Sequence, residues 1–414
     1  MSPFSPIHHT FAPLGDREQR KLARHMILGG LPTGSAARDR LRSELARAFH
    51  GEAFLFASGR EALLAALRTP LFAPGDEIIV QAYTCVVVPN AIKAAGLVPV
   101  YVDVNRETLN LDPWDLERRI TPKTRAVICQ HTFGIPADTE QLRLFCDERN
   151  LLLIEDCAHV LPDAAGPSAV GATGDLLLLS FGRDKAISGV SGGAIVSRLP
   201  NLSSKLREAE RMASTVPTSV VRRWLWYPLL YAIARPLYGL GIGRLFLAAA
   251  KHLRWLVPIV TRAEKKGAQD LSLRQMPEPC AILALAQWKK LALLNAHRRR
   301  LTSLYMEEAA TRGWPVLHGL PAGLALQKFP LFVKGAERIR QTLRKTNVHL
   351  HDGWTGCVVC PAGVDIDETR YRAGQDPQAE RVCEEILSLP THPGTTEHQA
   401  RRLAALVDAQ LRAA

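Results

Sequence analysis

Seven short, nearly continuous apolar runs punctuate the first half of the chain: Ala53–Ala57, Glu77–Ala82, Val98–Val104, Arg125–Gln130, Leu151–Glu155, Asp175–Phe181 and Gly193–Ser197. Their length and composition predict strands, and stretches of helical periodicity such as Arg60–Arg68 and Thr139–Arg149 separate the first five. Strands that are apolar on both faces and alternate with helices predict an α/β fold, with a mainly parallel seven-stranded sheet and helices on both faces. Ahead of it, residues 1–50 predict an N-terminal arm and a helix that starts at Ser35 and carries an apolar stripe of Leu41, Leu45, Ala48 and Phe49. From about residue 270 the pattern changes to a long helix, Pro279–Glu308, short strands around Leu324–Val333 and His349–Val359, and a closing helix, Glu397–Leu411. The expected organisation is therefore an arm and helix (1–50), a large α/β domain (51–270) and a smaller C-terminal α+β domain (271–414).

At 414 residues and 47% hydrophobic content the chain can bury cores of this size. The N-terminus has no basic stretch followed by an apolar one, so no secretory signal is read there and a cytoplasmic location is expected. The eight cysteines are scattered, several within strand-like runs, as suits reduced thiols. Cys357-Val-Val-Cys360, with His349 and His351 upstream, lacks a second ligand pair at finger spacing, and no metal is expected.

The charge is concentrated. Residues 201–300 hold 18 Lys and Arg against 5 Asp and Glu, an excess larger than the +12 of the whole chain. Within them, residues 222–258 are both basic and apolar, yet Pro and Gly interrupt them and no uncharged run approaches the roughly 20 residues of a bilayer span. A helical projection from Arg244 puts Lys251 and Arg254 on one side and Leu245, Phe246, Ala249, Leu253, Leu256 and Val257 on the other. Two readings stay open: packing against the core or a partner subunit, or peripheral contact with the anionic inner face of a membrane. No nucleic-acid-binding motif accompanies the charge, and no such partner is expected.

Chemistry is suggested by Asp156, in Leu151-Leu-Leu-Ile-Glu-Asp-Cys-Ala-His159, and Lys185, in Ser180-Phe-Gly-Arg-Asp-Lys185. Each follows a predicted strand, and open α/β sheets keep their sites at the carboxyl ends of strands. An acid and a lysine so placed suit pyridoxal phosphate, which needs a lysine for its Schiff base and a carboxylate for its pyridine nitrogen. Alone, each has an ordinary reading, as a helix cap or a solvated lysine. Ser58-Gly59, between a strand and a helix, fits an anion at a helix N-terminus or a simple cap. Ser180 adds a hydroxyl, and Ser188-Gly-Val-Ser-Gly-Gly193 a glycine-rich turn.

Together these segments resemble the sugar aminotransferases of the DegT/StrS type, pyridoxal phosphate enzymes of fold type I. The resemblance is carried by Ser58-Gly-Arg-Glu-Ala-Leu63, Pro74-Gly-Asp-Glu-Ile-Ile-Val80, Gly96-Leu-Val-Pro-Val-Tyr-Val-Asp-Val104, Ile120-Thr-Pro-Lys-Thr-Arg-Ala126, His131-Thr-Phe-Gly-Ile-Pro-Ala-Asp138, Glu155-Asp-Cys-Ala-His159, Ser180 to Lys185, Ala379-Glu380 and Leu387-Ser-Leu-Pro-Thr-His-Pro393. It covers nearly the whole chain outside the arm and residues 201–270. It implies Lys185 as Schiff-base lysine and proton shuttle, Asp156 on the pyridine nitrogen, His159 near the ring, and Ser58, Gly59, Arg60 and Ser180 on the phosphate. Cys85 stands where the family often has a stacking aromatic ring, Arg60 where it often has threonine, and Ser191 where an acid usually precedes the final Gly-Gly. An amide from the partner subunit reaches the phosphate in the family, and Gln275 falls nearest that position. The implied activity is transfer of an amino group, with glutamate the expected donor, to a keto-sugar, expected to be nucleotide-linked, by a homodimer with shared active sites, in polysaccharide or secondary-metabolite biosynthesis. A sugar dehydratase on this scaffold would carry histidine in place of Lys185. A non-catalytic, membrane-surface binding protein would have no need of all these groups at once.

Overall fold

All seven predicted strands pair into one sheet in the computed structural model, which describes residues 5–9, 16–166, 170–268, 270, 272–317 and 319–413. They are β1 (Glu52–Phe56), β2 (Glu77–Gln81), β3 (Val98–Val102), β4 (Thr124–Gln130), β5 (Leu152–Asp156), β6 (Leu176–Ser180) and β7 (Gly193–Ser197), in spatial order β1-β7-β6-β5-β4-β2-β3. Only β7 runs against the others. Alternation along the strands divides the core: Phe54, Phe56, Ile78, Val80, Ile128 and Ile154 face one apolar cluster, while Ala53, Leu55, Leu177, Leu179, Ala194 and Val196 face another. Both faces are therefore covered, which is why these strands read as continuous apolar runs.

The register fixes the site. β5 and β6 are parallel neighbours, so Asp156 and Ser180 end at the same edge of the sheet. Because β7 is reversed, its first residue, Gly193, lies opposite both Ser180 and Phe56. The turn Ala57-Ser58 thus leaves β1 at that same edge and opens the helix Gly59–Leu67.

The C-terminal part pairs Lys328–Phe332 antiparallel with Ile386–Pro390 and adds the helices Ala336–Arg344, Pro377–Glu385 and Glu397–Arg412. Two short parallel pairings tie it down, Val359–Cys360 with Thr84–Cys85 and Ile7–His8 with Val348–His349. Phe329, Leu331 and Leu387 share one continuous apolar cluster with Ile78 and Val80 of the large sheet.

Several expectations change in three dimensions. Two helices, Arg17–Gly29 and Ala36–Phe49, precede β1 where one was expected; of the expected arm, residues 1–4 and 10–15 lie outside the described residues. Ser35 stands at the N-cap position without a side-chain cap, because the Glu278 carboxylate takes the N–H groups of Ala37 and Arg38 at 2.6 and 3.2 Å. Leu41, Leu45 and Phe49 are buried as the stripe predicts, but Ala48 is exposed. The expected long helix is two, Glu278–Trp288 and Leu291–Arg312; Lys290 leaves the helical path at the break, and its ammonium pairs with Asp16 and Glu18.

The basic, apolar segment divides between its two readings. The helix Thr218–Ala234 packs on Arg17–Gly29 and buries Val221, Trp224, Leu225, Tyr227 and Leu230. The helix Ile242–His252 touches the body through a narrow stripe, Gly243 and Ala250. A Cβ on Gly243 would meet the Ala234 carbonyl oxygen at 2.1 Å, so glycine is what lets the two helices approach. The projection from Arg244 holds only to His252. Arg254 turns the chain at φ 59°, and Leu256 and Val257 fold back onto the core and not onto the helix's apolar side.

Candidate active site

Asp156 ends β5 almost fully buried, with Oδ1 accepting the Ala158 N–H at 2.9 Å. Burial raises its pKa; the Ala158 N–H and the positive charge of Lys185 oppose that rise. Lys185 also acts electrostatically on His159 and on Cys85, so residues of three separate motifs feel the charge of one ammonium. Such a buried carboxylate calls for a positively charged partner, and a protonated ring nitrogen would serve.

His159 is buried, and its pKa is held well below the ordinary histidine value by burial first and then by Lys185 and Lys328. Its Nδ1 accepts the Phe133 N–H at 3.2 Å, which leaves the proton on Nε2. The ring lies nearly parallel to Phe133 and edge-on to Trp354, with centroids 5.8 and 4.8 Å away. It is a neutral donor in an aromatic wall.

Beneath them, Glu155 supports the turn. Its carboxylate accepts N–H groups from Gly171 at 2.7 Å, Thr173 at 2.9 Å and Gly174 at 2.5 Å, and pairs with His131 at 3.1 Å. Burial alone would raise its pKa; His131 and these N–H groups outweigh burial and bring it down to about 2. Cys157 lies within 4.8 Å of the His131 and Glu155 ligand atoms, but the carboxylate is already engaged by these donors and reads as a buried strut.

The anion end is built from backbone. Ser58 caps the helix Gly59–Leu67, its Oγ accepting the Glu61 N–H at 3.3 Å. Ala62 N–H bonds to the Ser58 carbonyl at 3.1 Å, so the N–H groups of Gly59 and Arg60 are those that helical geometry leaves for an outside acceptor. A Cβ on Gly59 would fall 3.2 Å from Ser180 Oγ, and one on Gly193 would fall 2.4 Å from Gly59 N and Cα. Two glycines in contact thus bring Ser180 beside a helix N-terminus, as a phosphate requires.

Two predicted contacts are placed differently from the rest. The Arg60 guanidinium turns to Glu264 and to the Ile259 carbonyl, at 2.7 Å, so only its backbone faces the anion position. The Gln275 amide is engaged within its own chain: Oε1 accepts from Arg38 at 3.2 Å and Nε2 donates to the Glu210 carbonyl at 3.2 Å. Cys85 is held by its backbone pairing with Cys360, and burial raises its thiol pKa. Cys357 Sγ donates to the Val359 carbonyl at 2.8 Å, and the His349 ring stacks on His8.

The structure adds groups that no motif marked. Lys328 is buried, 3.1 Å from the Asp352 carboxylate, with its ammonium 5.3 Å from the centroid of Phe133 and 5.7 Å from that of Trp354. Gln327 donates to the Asp184 carbonyl, so the C-terminal part grips the lysine loop directly. Arg183 lies 4.3 Å over the ring of Tyr227, joining that loop to the basic helix. Arg183 stood inside a quoted motif; nothing in the local pattern around Lys328 or Trp354 announced them.

The model of the DegT/DnrJ/EryC1/StrS aminotransferase family matches residues 16–222 and 270–408, leaving 223–269 outside the match. The chain is 26% identical over 356 residues to the UDP-N-acetyl-3-dehydro-alpha-D-glucosamine 3-aminotransferase of Acidithiobacillus ferrooxidans, covering 85% of this chain and 82% of that protein. Its fold is similar to Helicobacter pylori PseC, an aminotransferase involved in the biosynthesis of pseudoaminic acid, with a TM-score of 0.74, 18% identity and coverage of 97% and 98%. It is also similar to the sugar aminotransferase Spr1654 of Streptococcus pneumoniae in its PLP form, with a TM-score of 0.72, 19% identity and coverage of 97% and 98%.

Proposed function

The chain belongs to the DegT/DnrJ/EryC1/StrS aminotransferase family, and we propose that it is a pyridoxal-phosphate-dependent aminotransferase that takes its amino group from glutamate and delivers it to a nucleotide-linked keto-sugar. The observation that carries this reading is the convergence of Lys185 and buried Asp156 at the sheet edge where Ser180 meets the Gly59–Leu67 helix start. The residues present fit the cofactor: a carboxylate for the ring nitrogen, a lysine, and a hydroxyl with backbone N–H groups for the phosphate. Bound there, pyridoxal phosphate would supply the electron sink that allows an amino group to leave one carbon and be added to another.

The protein's own groups have separable roles. With the cofactor bound, Asp156 would hold a proton on its ring nitrogen, and burial would strengthen that pairing. The Lys185 amine is itself the base: it would take the proton from the donor carbon and, in the reverse direction, deliver one to the acceptor carbon. His159 presents Nε2–H without a charge of its own. Phe133 and Trp354 exclude water from the far side of that imidazole. The Gly59 and Arg60 N–H groups and Ser180 would hold the phosphate. A homodimer with shared sites, in polysaccharide or secondary-metabolite biosynthesis, accords with this reading, and the nucleotide-linked acceptor rests on the substrate named for the 26% identical relative. Lys185 favours transamination over the dehydratase alternative.

The test is a visible absorbance spectrum of the purified protein supplied with pyridoxal phosphate, recorded before and after L-glutamate, beside Lys185→Ala. A visible band that L-glutamate bleaches in wild type and leaves unchanged in the variant is expected. Mass spectrometry of a nucleotide keto-sugar incubated with the glutamate-treated enzyme should then show the amino-sugar product. A wild-type protein that stays colourless with pyridoxal phosphate would overturn the reading.

A further inference from the structure

Nine of the fourteen large apolar side chains exposed among the described residues fall within 223–269, the stretch outside the family match. They are not scattered. Leu245 is 73% exposed, Leu253 59% and Trp255 50%, with Ile242, Leu240 and Leu237 near them in sequence. On the helix Ile242–His252 the stripe facing the body is Gly243 and Ala250, and the outer surface carries Ile242, Leu245 and Ala249 flanked by Arg244 and Lys251. Trp255 stacks on Trp226 at 6.4 Å, so the surface continues onto the helix Thr218–Ala234.

Trp226 also lines a groove of about 550 Å³ between Thr218–Ala234 and Arg17–Gly29. Ile27, Leu28, Leu229 and Ile233 contribute its apolar lining, Arg17, Arg20, Lys21 and Arg24 its cations, and no acidic residue lines it. Arg244, Lys251 and Arg254 are exposed as well, and the Trp226–Trp255 stack joins the end of their helix to this groove to form one flank.

We propose that this flank docks the enzyme on an anionic lipid surface, with the exposed apolar side chains entering the headgroup–acyl boundary and the arginine-rimmed groove taking acidic headgroups. Charge complementarity joins amphipathicity on this flank: apolar residues enter the boundary while Lys and Arg pair with lipid phosphates. No helix among the described residues is long and apolar enough to cross a membrane, so the contact is peripheral. A second copy of the chain is the poorer occupant, because a two-fold pairing sets the same patch on itself, cations facing cations. The consequence is that the active site works beside a membrane whatever its acceptor.

Flotation of the full chain with phosphatidylcholine vesicles, and with phosphatidylcholine vesicles containing phosphatidylglycerol, tests this. Binding to the second only, weakened by salt, is expected. Lys21→Ala and Arg24→Ala should each weaken it roughly fivefold, the equivalent of one cation at an anionic surface. Leu245→Glu with Trp255→Glu should abolish it, while the L-glutamate spectral change stays at wild-type level and shows the variant folded. No flotation with either vesicle, or equal flotation with both, would overturn the proposal. So would a double variant that floats as wild type does, or one that changes only the oligomeric state in sedimentation and so marks the flank as a subunit interface.

Discussion

The edge of the sheet around Asp156 and the stretch 223–269 are both rich in charge and apolar residues, yet they resolve these in opposite ways. At the sheet edge the charged groups are enclosed: Glu155 is ringed by N–H donors, Lys328 lies against Asp352, and His159 is kept neutral. In 223–269 nine large apolar side chains stand exposed, and Arg244, Lys251 and Arg254 beside them face solvent. The difference lies in what each backbone can be covered by. A strand in a two-faced sheet presents every side chain to a neighbouring layer, whereas the helix Ile242–His252 fully buries only one glycine and one alanine. Burial at the edge fixes chemistry; exposure in the insert leaves a surface.

The comparison can be broken most forcefully at Lys185. Lys185→Ala should lower transamination by ~10⁴-fold, the upper range for a positioned acid–base group, with vesicle binding unchanged; a variant that retained turnover in a coupled assay would move the chemistry elsewhere. Asp156→Asn, which keeps the shape and removes the charge, should cost on the order of 10²-fold in kcat with little change in melting temperature. A stability effect as large as its rate effect would make Asp156 a strut like Glu155.

Gly193→Ala addresses the scaffold. Its Cβ would lie 2.4 Å from Gly59, too close for the Ser58-Gly59 turn to survive unchanged. A loss of about 3 kcal/mol in urea unfolding is expected, together with weaker pyridoxal phosphate binding by absorbance titration; a silent substitution would mean the turn has room for a different path.

Acid should act on the enclosed side of the comparison. Burial lowers the His9 pKa to about 4, despite the opposing charge of Asp352. Unfolded, the same histidine titrates near 6.5, so below that pH the unfolded chain binds the extra proton. Stability is thus lost as pH falls from ~6.5 toward 4, by about 2 kcal/mol at pH 5 from His9 alone. Melting temperature against pH, compared with His9→Asn, should show a flatter acid limb in the variant. The smallest effect belongs to the exposed side: Leu245→Glu should shift stability by less than about 0.5 kcal/mol, and a larger loss would reveal a buried role for that helix.

Much of this was legible in one dimension. Continuous apolar character and run length set all seven strands, because an apolar run of five to seven residues flanked by turns has few other ways to hide. That Asp156 and Ser180 would end at one edge of the sheet was also readable, since strand ends in such sheets gather there. The helix Arg17–Gly29 was missed because its buried face, Gln19, Ala23 and Met26, is narrow and partly polar. The projection from Arg244 erred past His252, where a left-handed residue ends the helix that the periodicity continued.

By itself the sequence determined the sheet, the order of its strands along the chain, and the acid, lysine and Ser-Gly turn at their ends, since each depends on local pattern and on spacing. Only the tertiary structure decided that Glu278 and not Ser35 caps the second helix, that Arg60 turns away to Glu264, and that Lys328 and Trp354 join His159. It alone showed which of the apolar residues in 223–269 remain exposed. The physical reason is common to all of these: partners far apart in the chain meet only when layers pack, and local periodicity carries no record of which long-range neighbour will satisfy a given charge or cover a given face.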